Sequence, residues 1–347
     1  MQNKRRSMNF LLLFDSKKSK LTKFSTNLLP RTLLMLVLVA IYSSDIKGQG
    51  CSDAGFCTMG AMKPDQQYAK RIRIKLRSIE LSHYYGRSKF GDKAYNYTID
   101  ANIGINEKTT FQVKIPYVRL EGPLTENEGI GDLSLSLSRL IGNFGPGQLG
   151  VTVGSKIPTG EDDRVTATGR TLPMYNQTGL GTYDLVIGAS YITSKWLFAT
   201  GWQHSFGRNN NSFTWNSWLG TPKEEETLKY PQSRELRRGE DIMLRVERNF
   251  RFLNWNVNMG LLPIYRLNND KIRLPVVDDS NNFQGIVEKE VDGTKGLALT
   301  LLLGGGYQFS TQHGIKLING FRLVKRNKNP DGLSREFVSN VGYVFKF

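Results

Sequence analysis

Residues 335–347 read REFVSNVGYVFKF. Counting back in twos from the last residue puts Phe347, Phe345, Tyr343 and Val341 on one face. Lys346, Val344, Gly342 and Asn340 fall on the other. A strand with one aromatic, apolar face and one small or polar face suits a sheet that separates two media. The same residues could end a soluble sandwich, so the rest of the chain has to decide.

From Tyr68 onward the chain breaks into segments of about 10–15 residues with period two, the pattern of half-buried strands. In the first, Arg71, Arg73, Lys75 and Arg77 alternate with Ile72, Ile74 and Leu76, and the apolar phase then passes to Ile79 and Leu81. That switch predicts a bulge near Ser78. The clearest segment alternates Leu133, Leu135 and Leu137 with Asp132, Ser134, Ser136 and Ser138. Twelve such segments are expected, the last being the terminus. Segment ten, residues 296–309, is apolar on both faces at first, and its Gly304-Gly305-Gly306 run argues against a helix.

The connections sort by length. Residues 106–108, 142–147, 193–194, 249–251 and 310–313 are short, whereas 158–180, 207–239 and 267–295 are long and polar. The short and long sets alternate along the chain, as in a transmembrane up-and-down barrel with short turns on one side and long loops on the other. A soluble sandwich has no reason to sort its loops in this way. The sequence therefore predicts an all-β fold, a transmembrane antiparallel up-and-down β-barrel of about 12 strands spanning residues 68–347. Its Tyr, Trp, Phe, Leu and Ile face would meet lipid and its Ser, Asn, Arg and Lys face would line the interior.

The amino-terminal part points the same way. Lys17, Lys18, Lys20, Lys23 and Arg31 precede an apolar run, residues 33–42, too short to cross a bilayer. Small residues at Gly48 and Gly50 then offer a cleavage site, so residues 1–50 read as a signal peptide. Nine Lys or Arg against two Asp in that stretch reduce the net charge of +16 to +9 for residues 51–347. Cys51 and Cys57 are the only cysteines. In a short periplasmic segment, residues 51–67, they are expected to form a disulfide.

Several patches go beyond generic barrel features. Residues 129–135 read GIGDLSL, 154–162 read GSKIPTGED and 178–191 read TGLGTYDLVIGASY. In order and spacing these resemble the outer-membrane family named for the meta-pathway of phenol degradation, putative transporters with G-x-G-D, K-x-P-T-G and G-x-G-T-x-D motifs. The aromatic ending likewise resembles the C-terminal assembly signal of Gram-negative outer-membrane barrels, which would be carried here by Tyr343, Phe345 and Phe347. These resemblances imply an outer-membrane location and passage of small, often hydrophobic or aromatic, compounds. They also imply contact with the barrel assembly machinery, outer-membrane lipid and lipopolysaccharide.

The residues themselves suggest little catalysis. His83, His204 and His313 lie on different segments, and no metal-binding spacing of the H-E-x-x-H or C-x-x-C kind occurs. Ser205 follows His204, but adjacent strand residues point to opposite faces and cannot form a nucleophile–base pair with each other. The sequence is therefore read as a non-enzyme without cofactor or metal, and nucleic acid is not an expected partner. Candidate interior residues are Arg71, Arg73, Lys75, Arg77, Lys114, Asp132, Lys156, Asp184, Arg245, Glu247, Lys316 and Arg322. They would form either a positive pore or a set of internal ion pairs, with Asp132 and Asp184 placed to meet Lys156. Arg237-Arg238 and the basic run 325–328 are expected to face anionic lipid from the loop ends. The expected role is passive passage of a small solute. The alternatives are a closed barrel acting through its external loops and, more remotely, an anion-preferring porin. Whether residues 158–180, or the segment 51–67, fold inward as a plug separates the first two.

Overall fold

The computed structural model describes residues 74–277 and 283–347. The readings made on residues 1–73, including the signal peptide, Cys51, Cys57, Arg71 and Arg73, lie outside the described residues.

The strands are β1 (Lys75–Arg87), β2 (Lys93–Gly104), β3 (Thr109–Glu121), β4 (Glu126–Ile130), β5 (Leu133–Phe144), β6 (Gly147–Ile157), β7 (Tyr183–Ile192) and β8 (Trp196–Phe206). They continue with β9 (Asp241–Phe252), β10 (Trp255–Arg266), β11 (Asp270–Val277), β12 (Phe283–Val291), β13 (Gly296–Gln308), β14 (His313–Val324) and β15 (Phe337–Lys346). Consecutive wall strands pair antiparallel, and β1 pairs with β15 from Ser78↔Lys346 to Arg87↔Phe337, which closes the barrel. Closure leaves no free edge except beside the short β4, which pairs with β3 alone, and a sheet closed in this way is what crossing lipid requires.

Two features reconcile these strands with a twelve-stranded wall. β4 pairs with the far half of β3 and β5 with its near half, so together they fill one wall position. The break between them lies at Gly131-Asp132, opposite Pro116, whose carbonyl accepts the Gly131 N–H. Proline has no N–H to return to the ladder, which makes this a natural place for it to open. The other feature is a separate hairpin, β11–β12, within the loop between β10 and β13. That loop, 267–295, reads in the sequence only as long and polar, because its alternation is interrupted by Pro275 and Gly285. The turn after β9 is also displaced from the sequence reading. The strand runs on to Phe252, and the chain reverses through Leu253-Asn254, with Leu253 at φ 49°.

The bulge expected near Ser78 is present as a register shift between Leu76 and Ser78. Beyond it Ile79, Leu81, His83 and Tyr85 face outward, and Ser78, Glu80 and Tyr84 face inward. The outward belt is broadly apolar: Leu81, Tyr97, Ile115, Leu137, Val153, Ile187, Leu244, Met259 and Val341 are all exposed. A contiguous apolar belt around a closed sheet is what a hydrocarbon surround requires. Among the described residues no helix is long and apolar enough to cross a membrane.

The interior departs from the all-polar expectation. Val186, Leu197, Ala199, Met243, Leu262, Ile264 and Leu302 form an inward apolar panel across β7, β8, β9, β10 and β13. Tyr84, Ala94, Val118, Leu120 and Val338 form a second on β15, β1, β2 and β3. Strands apolar on both faces produce these panels, as the sequence of β13 had hinted.

The connections fall into two classes. The turns β2–β3, β5–β6, β7–β8, β9–β10 and β13–β14 contain two to four residues. At the opposite end lie L1 (88–92), L2 (122–125), L3 (158–182), L4 (207–240), L5 (267–295, with β11–β12) and L6 (325–336). These six pack together rather than spreading into solvent. Gly332 of L6 lies at φ 68°, and a Cβ there would come within 2.5 Å of the Met174 backbone in L3. Gly332→Val should therefore cost about 1–3 kcal/mol by overpacking and backbone strain. The expected outcome is faster limited proteolysis of L3 and L6, with heat-modifiable gel migration of the barrel unchanged.

Candidate functional site: an occluded mouth and its aromatic cavity

The motifs recognised in the sequence converge at the ladder break. The Asp132 carboxylate is fully buried and accepts N–H bonds from Gly160 at 3.2 Å and Leu180 at 3.0 Å. These are the two ends of L3. Lys156 Nζ stands 3.5 Å from the same carboxylate and balances its charge. Thr159 Oγ1 accepts the Leu133 N–H at 3.0 Å and donates to Gly131 O at 2.8 Å, replacing ladder bonds lost at the break. Gly179 passes so close to Gly160 that a Cβ would meet its backbone. Residues from all three motif patches thus form one joint that holds both roots of L3.

Between those roots L3 crosses the mouth. Its turn Met174–Asn176 is buried, and Gln177 and Thr178 are 0 % exposed. Asn176 donates to Asp92 of L1 at 3.2 Å and accepts, through its backbone oxygen, from Asn127 at 2.9 Å. The Tyr175 ring meets Phe90 of L1 edge-on at 5.1 Å and Tyr230 of L4 at 5.7 Å, and Arg335 of L6 lies over it at 5.8 Å. Asn211 of L4 bonds Leu172 O, and Trp218 of L4 bonds Thr171 O. Leu172 and Tyr175 pack with Leu124 of L2, Phe213, Trp218 and Tyr230. Met174 and Leu180 pack with Leu236, Ile272, Val291 and Leu333. L3 therefore touches every other loop, including L1 and L6 across the barrel from its own strands. Only a segment in the middle of the mouth can do so.

Ion pairs account for most of the interior residues expected from the sequence. Lys114 lies 3.5 Å from Asp100, whose carboxylate also accepts both Gln112 bonds at 2.9 Å. Arg245 binds Glu247 at 2.6 Å, and Lys316 lies 3.7 Å from Glu80. Arg77 is the bulge residue and donates to Thr110 Oγ1 at 3.3 Å and to Asn106 O at the β2–β3 turn. Lys75, opposite Gly104, is exposed at that same end. Arg322 instead caps the base of L6, donating to Ser334 and Arg335 O. A net-positive ladder is not what these contacts make, because each of Lys114, Lys156, Arg245 and Lys316 faces a carboxylate.

The basic loop ends are where the sequence reading most needs correction. Arg238, expected at the lipid surface, is 6 % exposed and bound to Asp184 at 2.5 Å. Ser205, Thr182 and Gln203 complete that carboxylate's shell. Arg326, also expected outside, is buried 3.5 Å from Asp241. Arg266, not singled out from the sequence, is 0 % exposed and binds Asp241 at 2.8 Å, Asp270 at 2.8 Å and Asp331 at 2.9 Å. It joins β9, the β11–β12 hairpin and L6. The R-x-x-x-D stretch 266–270 and the N-P-D-G stretch 329–332 that build it look like ordinary loop polarity in the sequence.

The histidines are dispersed. His83 stacks on the outer face with Tyr95 and Tyr97. His204 lies 3.0 Å from Glu240 on the outer rim, and His313 bonds Tyr343 at a short turn. Ser205 points inward, away from His204, and no acidic–histidine or cysteine cluster fit to hold a metal occurs among the described residues.

A cavity of about 510 Å³ opens beside the L3 turn, lined by Phe90, Tyr175, Trp215 and Tyr230 and by Ile272 and Leu274 of the hairpin. Its volume falls in the range of small-ligand sites, and its walls have their mix of aromatic and polar groups. A second cavity of about 300 Å³ lies towards the short turns, bordered by Arg245, Glu247, Asn256, Asn258 and Lys316.

No family model matches the sequence, and no curated protein matches it. Solved structures do resemble the fold. An outer membrane channel of the COG4313 group from Pseudomonas putida F1 aligns at TM-score 0.53 and 15 % identity, covering 82 % of this chain and 100 % of that one. The NanC porin aligns at TM-score 0.41 and 9 % identity over 79 % of this chain and 100 % of that one. The CymD monoaromatic hydrocarbon channel aligns at 0.38 and 9 % over 86 % and 98 %. The chain thus has the fold of outer-membrane β-barrels.

Two predictions follow from these contacts. Arg266→Met would leave three buried carboxylates short of their shared cation, a loss of about 3–5 kcal/mol. The loops should then become protease-sensitive while the barrel persists. The second concerns acid. Burial pushes the Asp331 carboxyl up, but Arg266, Arg326 and Arg238 outweigh it and hold it at about 2. A carboxyl depressed below its unfolded value of about 3.9 stabilises the loops above that pH. That stability is lost as pH falls towards 2. Tryptophan fluorescence from the loops should change over this interval, before any loss of β-sheet circular dichroism.

Proposed function

We propose that the chain is an outer-membrane transport barrel of a Gram-negative bacterium for a small, largely apolar or aromatic solute, and that L3 closes its mouth at rest. The observation that carries this reading is the aromatic cavity built directly against the L3 turn. Tyr175 belongs to both. A solute seated among Phe90, Tyr175, Trp215 and Tyr230 would exchange contacts with the segment that has to move for passage.

The fold neighbour described as an outer membrane channel supplies the class of this reading. In this setting lipid and lipopolysaccharide would surround the apolar belt, and Tyr343, Phe345 and Phe347 would serve the assembly machinery. The competing reading is a closed barrel acting through its outer loops, favoured by the paired interior charges. A porin-like role with anion preference has less support, for the same reason.

The test is conductance of the refolded mature protein in planar bilayers, compared with a variant in which residues 171–178 are replaced by a short Gly-Ser linker. The native chain should show little steady conductance, and the variant stable steps. Large steady steps from the native chain would overturn the occluded reading. Silence from both, with the barrel folded, would favour the closed structural barrel.

A further inference from the structure

The loop-end cavity has a charge pattern that its aromatic lining alone does not explain. Pairing of β11 with β12 sets Ile272 opposite Lys289 and Leu274 opposite Val287, so these share the hairpin face towards the cavity. Glu288 and Glu290 alternate with them and are engaged by Lys271 at 3.3 and 3.4 Å. The rim carries Lys89, Lys229, Lys289 and Lys328. Lys229 is paired with Glu226 at 2.5 Å. Lys89, Lys289 and Lys328 have no ion-pair partner among the described residues. Of the two acids on the wall, Glu290 is held by Lys271, which leaves Asp292 there, with Glu336 acting on Lys89 from outside the lining and the Lys89 ammonium lying 4.6 Å over the Phe90 ring.

Lys89 comes from L1, Lys289 from L5 and Lys328 from L6, so separate loops bring like charges to one opening. That is an electrostatic cost unless something offsets it. The Lys89 ammonium is held below the ordinary lysine value by burial first and then by Lys325 and Arg322 of the neighbouring strand end and loop, with Glu336 pulling the other way. Aromatic walls beneath an unbalanced cationic rim are complementary to a flat apolar body carrying one anionic group.

We propose that this cavity is a recognition site for small aromatic carboxylates, the ring seated among Phe90, Tyr175, Trp215 and Tyr230 and the carboxylate met by Lys89, Lys289 and Lys328. The inference rests on the transport reading for its biological meaning, but binding can be measured without it. It names the substrate class as organic anions rather than neutral hydrocarbons.

Isothermal titration of the full folded chain with 1-naphthoate and with neutral 1-naphthalenemethanol tests the site. Naphthoate should bind at least tenfold more tightly, with affinity falling as salt rises, and should quench fluorescence from the Trp215 region. The double variant Lys89→Gln/Lys289→Gln should lose about tenfold for naphthoate and leave the neutral probe unchanged. Equal binding of the two probes, or naphthoate binding indifferent to the lysine changes, would overturn the proposal. Proteoliposome uptake separates the two levels. Naphthoate bound as described but never taken up leaves the site and removes the passage. Uptake unaffected by lysine variants that have lost naphthoate binding leaves both the site and the passage and removes the link between them.

Discussion

One buried carboxylate sets the terms for the mouth of this barrel. Asp132 sits where the wall ladder opens, and from there it accepts backbone N–H groups from both ends of the loop that crosses the opening. A carboxylate that is fully buried is tolerable only when paired and hydrogen-bonded. Lys156 on the neighbouring strand supplies the pair. Placing it in the gap between β4 and β5 brings it within reach of loop backbone that a regular strand would keep away.

A twelve-stranded barrel encloses more space than its own inward side chains can fill as a simple apolar core. This chain fills it with mixed material. Two inward apolar panels flank belts of ion pairs, and each interior carboxylate that matters has its own cation. Such pairs add little net stability in themselves, since desolvation offsets most of the attraction. What they do is make each side-chain position conditional on another. The Arg266 node extends this logic upward by tying β9, the hairpin and L6 to one guanidinium.

The loop assembly differs from its roots. L3 is rooted by charge-assisted bonds at Asp132, whereas its middle is held by ring contacts, amide bonds and apolar packing with five other loops. Packing of this kind can be exchanged for a ligand of similar character more readily than a buried ion pair can be broken. That difference is why the aromatic cavity beside Tyr175, and not the lumen lower down, is the place where solute and loop would compete.

What the sequence determined by itself was whatever depends on near neighbours in the chain. Alternation of apolar and polar residues is local, so the strands, the bulge at Arg77, the outward belt and the sorting of short turns from long loops were all legible in it. The pairing of Asp132 with Lys156 was within reach too, because Asp132 immediately precedes β5, whose first residues pair with the end of β6 that carries Lys156. Tertiary structure alone decided the rest. Tyr230 bonds Asp92 across 138 residues, and Arg266 meets Asp331 across 65. Loops have no period to reveal which face they present, so Arg238 and Arg326 looked like surface charge until their carboxylates were in place. The inward crossing of L3, the hairpin in L5 and the lysine-rimmed cavity arise because separate loops converge on one opening, and that convergence is set by barrel closure rather than by any local pattern.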